Sequence, residues 1–213
     1  MKSSKLPVTL AVLACLGALF LLWRQFSNPG ANFKSSDAAG EVIADEIGRL
    51  LGGKATIILL SREASKTEPD ATTQRVAAFM AAVQRRASLK LAATEWTPRP
   101  AAGVMDFGAV SPEQFLAALE KNPGANGLVV FAGLPPWSPA LAEKLSARSL
   151  KLVAVCGYGP NVRRWLESKA LTLAVVPRFD DPPAGTAAPK TAKDWFEREY
   201  QLVTPESVGL LPY

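Results

Sequence analysis

Five short, nearly unbroken apolar runs mark the chain after residue 54, and between them apolar residues recur at helical spacing. The runs are Ala55–Leu60 (ATIILL), Leu89–Thr94, Gly127–Ala132 (GLVVFA), Leu150–Cys156 and Leu171–Val176. Apolar runs without polar alternation are the mark of strands covered on both faces, as in a parallel sheet. Helices are predicted over Ala71–Ala87, Ser111–Lys121, Ser138–Ala147 and Asn161–Lys169. Ahead of the first strand, Asp37 can cap a helix carrying Val42, Ile43, Ile47, Leu50 and Leu51, and Gly52-Gly53 can end it. Strands alternating with amphipathic helices predict right-handed βαβ units in a doubly wound α/β fold, a parallel five-stranded sheet of order 2-1-3-4-5. After a Pro/Gly/Ala-rich loop over 181–190, Ala192–Tyr200 reads as a helix and Gln201–Thr204 as an extended stretch that could add a small edge strand.

A different pattern precedes this domain. Leu6–Trp23 is an uncharged apolar run of about the length needed to cross a hydrocarbon core as a helix, with basic residues before it and Trp23-Arg24 after it. A cleaved secretory signal, or lipidation at Cys15, would need a polar stretch soon after the cleavage point. The run instead continues past Cys15, which favours an uncleaved transmembrane signal-anchor over 1–26. Positive charge on its N-terminal side places the domain outside the cytoplasm of a single-pass inner-membrane protein. Residues 27–36 (SNPGANFKSS) read as a linker, and 37–213 as one folded domain.

Charge and composition then narrow the chemistry. The net charge of +5 invites a nucleic-acid partner, but Lys2, Lys5 and Arg24 lie at the N-terminal run, and the rest of the chain balances 21 basic against 19 acidic residues. No nucleic acid is expected. The chain has no histidine and only two cysteines, far apart. A catalytic Ser-His or Cys-His pair and a Cys/His zinc site are therefore excluded within one chain. Neither a Gly-x-Gly-x-x-Gly pattern nor a phosphate-loop Gly-Lys-Ser/Thr is present, so no metal and no cofactor is expected.

In doubly wound sheets ligands bind beyond the carboxyl ends of the strands. The loops there carry Arg62, Trp96, Trp137, Tyr158 with Asn161, and Arg178 with Phe179. Aromatic rings beside arginines suit stacking on a sugar or docking on a protein; the alternative is that each ring packs over its own helix end. Glu63, Glu95 and Asp180 lie on different loops, and nothing in the sequence brings two of them together as an acid/base pair.

Several stretches together resemble one lobe of the type I periplasmic binding proteins, the sugar-binding group of ABC importers and related repressor sensor domains. Leu50-Leu51-Gly52-Gly53-Lys54 leading into ATIILLS is similar to the opening of that family's C-terminal lobe. Gln74–Phe79 is similar to its Arg-x-x-Gly-Phe helix start, with Ala78 in place of the glycine. GLVVFA resembles the strand before its Asn-Asp ligand pair, the strand ending at Gly157-Tyr158 its Gly-Phe-Asp segment, and Tyr200–Glu206 its C-terminal stretch. The resemblance implies a non-catalytic sugar or small-metabolite binder with Arg75 as a ligand contact. Gly133-Leu134 replaces the ligand pair, however, and Gly159 the sugar-binding aspartate. The family also closes two lobes, where this sequence has room for one. Two functions follow: an anchored binding module for a ligand or protein partner, and a structural envelope domain whose ligand site has decayed, with an enzyme third. The expected site residues are Arg62, Arg75, Trp96, Trp137, Tyr158, Asn161, Arg178 and Phe179. Expected partners are the membrane, a sugar or small polar metabolite, or a second lobe supplied by another copy or an envelope protein.

Overall fold

The structure, a computed structural model, describes residues 30–64, 70–98, 109–157, 159–178 and 188–212. Two compact units are delineated, Met1–Lys34 and Ser35–Tyr213. The apolar run 6–23 lies outside the described residues, and among those described no helix is long and apolar enough to cross a membrane. The elements are α1 (Gly30–Leu51), β1 (Ala55–Arg62), α2 (Ala71–Gln84), β2 (Leu89–Thr97), α3 (Pro112–Lys121), β3 (Gly127–Val130), α4 (Pro139–Ala147), β4 (Lys151–Val155), α5 (Pro160–Glu167), β5 (Leu173–Pro177), α6 (Ala192–Glu199), β6 (Tyr200–Val203) and a 3-10 turn, Pro205–Leu210.

The strands form one sheet of order β2-β1-β3-β4-β5-β6. The first five are parallel, in the predicted order. The sheet has six strands rather than five and is mixed, because β6 pairs antiparallel with β5. The chain passes from α6 into β6 without a loop and enters at the carboxyl end of β5, where Pro177 faces Tyr200. Tyr200 therefore stands on the rim where a ligand would sit; a parallel sixth strand would have put its first residue at the opposite end.

Alternate residues of the inner strands feed two cores. Ile57, Leu59, Val129 and Val153 pack with α1, α2 and α6, whereas Ile58, Leu60, Leu128 and Leu152 pack with α3, α4 and α5. Burial on both sides explains the unbroken apolar runs. Ser111 and Ser138 cap α3 and α4 through their hydroxyls. Thr191 and Asp194 form a reciprocal capping box on α6, and the Thr191 and Lys190 N–H groups hold the Asp194 carboxyl below its usual range.

Helix α1 begins at Gly30 rather than at Asp37. Ser35 and Ser36, which read as linker by composition, are buried. Ser36 lies one turn before Gly40, and Gly40 is where α1 meets α2 most closely: a methyl there would stand 2.5 Å from the Arg75 carbonyl oxygen and 2.6 Å from the Phe79 nitrogen. Glycine is required at that point because the neighbours are α2 backbone and the Ala78 Cβ, none of which can swing aside. Polar pairs flank the seam. Gln74 donates to Asp37 over 2.8 Å, Arg85 pairs with Glu41 over 2.9 Å, and Arg86 pairs with Asp45.

Candidate functional site

Beyond the carboxyl ends of β3, β4 and β5 lies an open cavity of about 460 Å³. Its base is made by residues that end or follow the strands, Phe131, Val155, Cys156 and Pro177. One wall is the start of α5, with Gly159, Asn161 and Val162; another is Gly133-Leu134; Arg75 from α2 and Tyr200 from β6 close the side toward the sheet edge. Gly159 is the N-cap of α5 at φ 151, a conformation side-chain-bearing residues rarely adopt, and no side chain caps the helix. The first N–H groups of a helix have no intrahelical partner. Those of Asn161 and Val162 therefore belong to residues lining this wall.

Arg75 starts its helix at the rim because Asp70 caps α2, accepting from the Thr73 N–H over 2.8 Å. Its guanidinium lies 5.4 Å above the centroid of the Tyr200 ring and donates to the Tyr200 hydroxyl over 3.2 Å. A cation over a ring is worth about 0.5–1 kcal/mol when exposed and more when desolvated. Tyr200 is in turn stacked on Phe196 at 5.6 Å. The Arg75 Nε is buried without a hydrogen-bond partner among the described residues, which costs on the order of 1–3 kcal/mol. No carboxylate lines the cavity among the described residues. Cys156 adds no negative charge there: burial pushes its thiol up to about 12.

The other expected site residues divide. Asn161 lines the cavity, but its side chain is spent on the scaffold: Oδ1 accepts from the Trp137 N–H over 2.7 Å and Nδ2 donates to the Pro135 carbonyl over 3.0 Å. Trp137 is half-buried against the core and donates through Nε1 to Ser168 over 3.2 Å, so its ring packs locally. Trp96 is 48% exposed on the edge strand β2, and neither it nor Arg62 borders the cavity. Arg178 donates through Nε to the Tyr200 carbonyl over 3.2 Å and faces a second cavity, of about 480 Å³, beside α1 and α6. Tyr158 and Phe179 lie outside the described residues.

Sequence reasoning missed Tyr200, Phe131 and Val162 as cavity residues. Tyr200 is 125 positions from Arg75 and reaches it only through the antiparallel insertion of β6; no local pattern announces that. Among the described residues no two carboxylates meet at the cavity. Glu95 is paired with Lys121 over 3.2 Å, and neither it nor Glu63 lines the cavity; Asp180 lies outside the described residues. Among the described residues no cluster of acidic or cysteine side chains could hold a metal ion.

No protein-family model matches the chain, and no curated protein matches it in sequence. Solved structures do match. A glucose-galactose binding protein from Geobacillus stearothermophilus aligns with a TM-score of 0.55 at 15% identity, over 82% of this chain and 62% of that one. An arabinose binding protein from the same organism gives 0.57 at 12% identity, over 84% and 63%. A solute binding protein of an ABC transporter from Burkholderia graminis C4D1M, in complex with D-arabinose, gives 0.57 at 14% identity, over 84% and 62%. The chain thus spans somewhat less than two thirds of the length of these proteins. At such identities what is shared is the fold, and that fold is the one found in the sugar-binding proteins of ABC transporters.

Proposed function

We propose that the domain is a non-catalytic, extracytoplasmic binding module, held at the inner membrane by residues 6–23, that takes a small polar ligand in the cavity at the strand ends. The observation that carries this reading is the cavity itself: it is concave, lies where doubly wound sheets bind ligands, and presents a guanidinium and an aromatic ring over an apolar base. The likeness to sugar-binding proteins supports it. Arg75 and Tyr200 are the proposed ligand contacts. Asn161 holds the wall and Trp137 packs behind it, so neither is spent on the ligand.

A second reading keeps the same site but adds a partner. The cavity is open, and a small molecule bound there stays partly in water until another surface covers it. A second lobe from another copy or an envelope protein would raise affinity by closing over the rim. The neighbouring XylFII-LytSN complex has the same fold at a TM-score of 0.51 and 11% identity, so the fold is compatible with docking on another protein.

The test is a thermal-shift screen of the membrane-extracted protein against sugars and small polar metabolites, repeated with Tyr200→Ala. A concentration-dependent rise in Tm that Tyr200→Ala abolishes is expected. A flat response to every compound would favour a structural domain with a decayed site.

A further inference from the structure

The geometry points to a ligand carrying a carboxylate, such as a sugar acid, rather than a neutral sugar, with Arg75 as its counter-charge. This rests on the proposed binding function and narrows it to a substrate class.

Arg75 is a partly buried cation whose contacts among the described residues are uncharged. Its hydrogen bond there goes to a phenol, its face lies on that same ring, and its Nε is buried with no partner among those residues. Buried charges in folded proteins are paired, because an isolated ion forfeits its hydration. The arginines just past the end of α2 have carboxylate partners even in solvent-exposed pairs: Arg85 with Glu41 and Arg86 with Asp45. Arg75 has no such carboxylate among the described residues, and it is the one that lines the cavity. A planar guanidinium left without a counter-ion suits the two oxygens of a carboxylate.

The remaining walls agree. None of the described lining residues is acidic, and the single thiol stays protonated because it is desolvated. The start of α5 faces the same space with no side-chain cap, and open helix N-termini favour anions. Gly133, Leu134 and Gly159 on these walls have no side-chain hydrogen-bond acceptor to offer the hydroxyls of a neutral sugar. The site can therefore neutralise one negative group but supplies few acceptors for a ring of hydroxyls. Phe131 and the Tyr200 ring offer apolar surface for the body of such a ligand.

D-galacturonate and D-galactose share a ring and differ in a carboxylate against a hydroxymethyl group, which makes them matched probes. Titrated into the full protein by calorimetry at constant ionic strength, galacturonate is expected to bind at least about tenfold more tightly. Arg75→Met should remove that preference, and Arg75→Lys, which keeps the charge and loses the fork, should recover part of it. Equal binding of the two sugars, or tighter binding of galactose, overturns the inference and leaves the binding function standing. Binding of neither overturns the inference, and the thermal-shift screen against the wider set of compounds then decides the binding function separately. A preference for galacturonate that survives in a folded Arg75→Met variant, checked by circular dichroism, also overturns the role given to Arg75.

Discussion

Helix α2 takes part in two regions built on opposite principles. Along the seam with α1 its backbone lies against Gly40, and the side chains of Gln74 and, just past its end, of Arg85 and Arg86 find the acidic partners Asp37, Glu41 and Asp45. At the rim, one residue along from Gln74, Arg75 has a buried Nε without a partner among the described residues, beside an open cavity and a helix start with no side-chain cap. Close packing and satisfied polar groups are what stability alone selects. A place where both rules lapse together, on an otherwise consistent scaffold, is where function is expected to reside.

The comparison can be broken at several points, beginning with the largest effect. Cys156 lines the cavity, and burial raises its thiol to about 12. Its thiolate fraction at pH 8 should be lower than that of an ordinary cysteine by about a hundredfold or more. Alkylation of Cys156 by iodoacetamide, followed by mass spectrometry, should be slower in the folded protein than in urea by at least that factor. Rapid alkylation would mean that the base of the cavity is wetter than the packing shows. Since the folded thiol holds its proton more tightly than the unfolded one, this group's contribution to stability is present below pH 9 and falls as pH rises toward 12.

Next comes the scaffold beneath the rim. Trp165 is fully buried, lies 6.1 Å from Phe115, and donates to the Pro135 carbonyl over 3.0 Å. Trp165→Ala should cost about 3–5 kcal/mol in urea unfolding. At the seam, Gly40→Ala forces α1 and α2 apart and should cost about 1–3 kcal/mol. A loss below about 0.5 kcal/mol would show that the two helices do not approach as closely as described. Asn161→Ala removes both bonds that tie the start of α5 to the loop after β3, with a loss of about 1–3 kcal/mol. The smallest effect belongs to Asp45→Asn: Asp45 is exposed in its pair with Arg86, and the change should cost less than about 1 kcal/mol.

The scaffold was more legible in the sequence than the site, for a physical reason. Runs such as ATIILL and GLVVFA, and capping hydroxyls such as Ser111 and Ser138, carry their own local signal, and the order of the five parallel strands is a common solution for βαβ-linked strands and that of the resembled lobe. The sixth strand was visible only as an extended stretch, because a four-residue strand has no periodicity to read. The start of α1 was obscured because Ser35 and Ser36 look like linker but are buried. The 3-10 turn over Pro205–Leu210 had no apolar pattern. At the cavity, the place of Arg75 was legible through a family resemblance, whereas the hydrogen bonds that tie Asn161 and Trp137 into the scaffold were not. Loop position says which side chains can reach a rim, but not whether their donors are already spent, as those of Asn161 are on Pro135.

The most direct measurement is an amide NMR titration of the protein with galacturonate and with the compounds that raise its Tm. Perturbed resonances are expected to cluster on Gly133, Gly157, Gly159, Asn161 and Val162 and on the Arg75 side-chain Nε–H, with the amides of Gly40, Ala44 and Ala82 unmoved. Shifts concentrated on the α1–α2 seam or on the second cavity beside α6, with the strand-end rim silent, would contradict the placement of function at the rim.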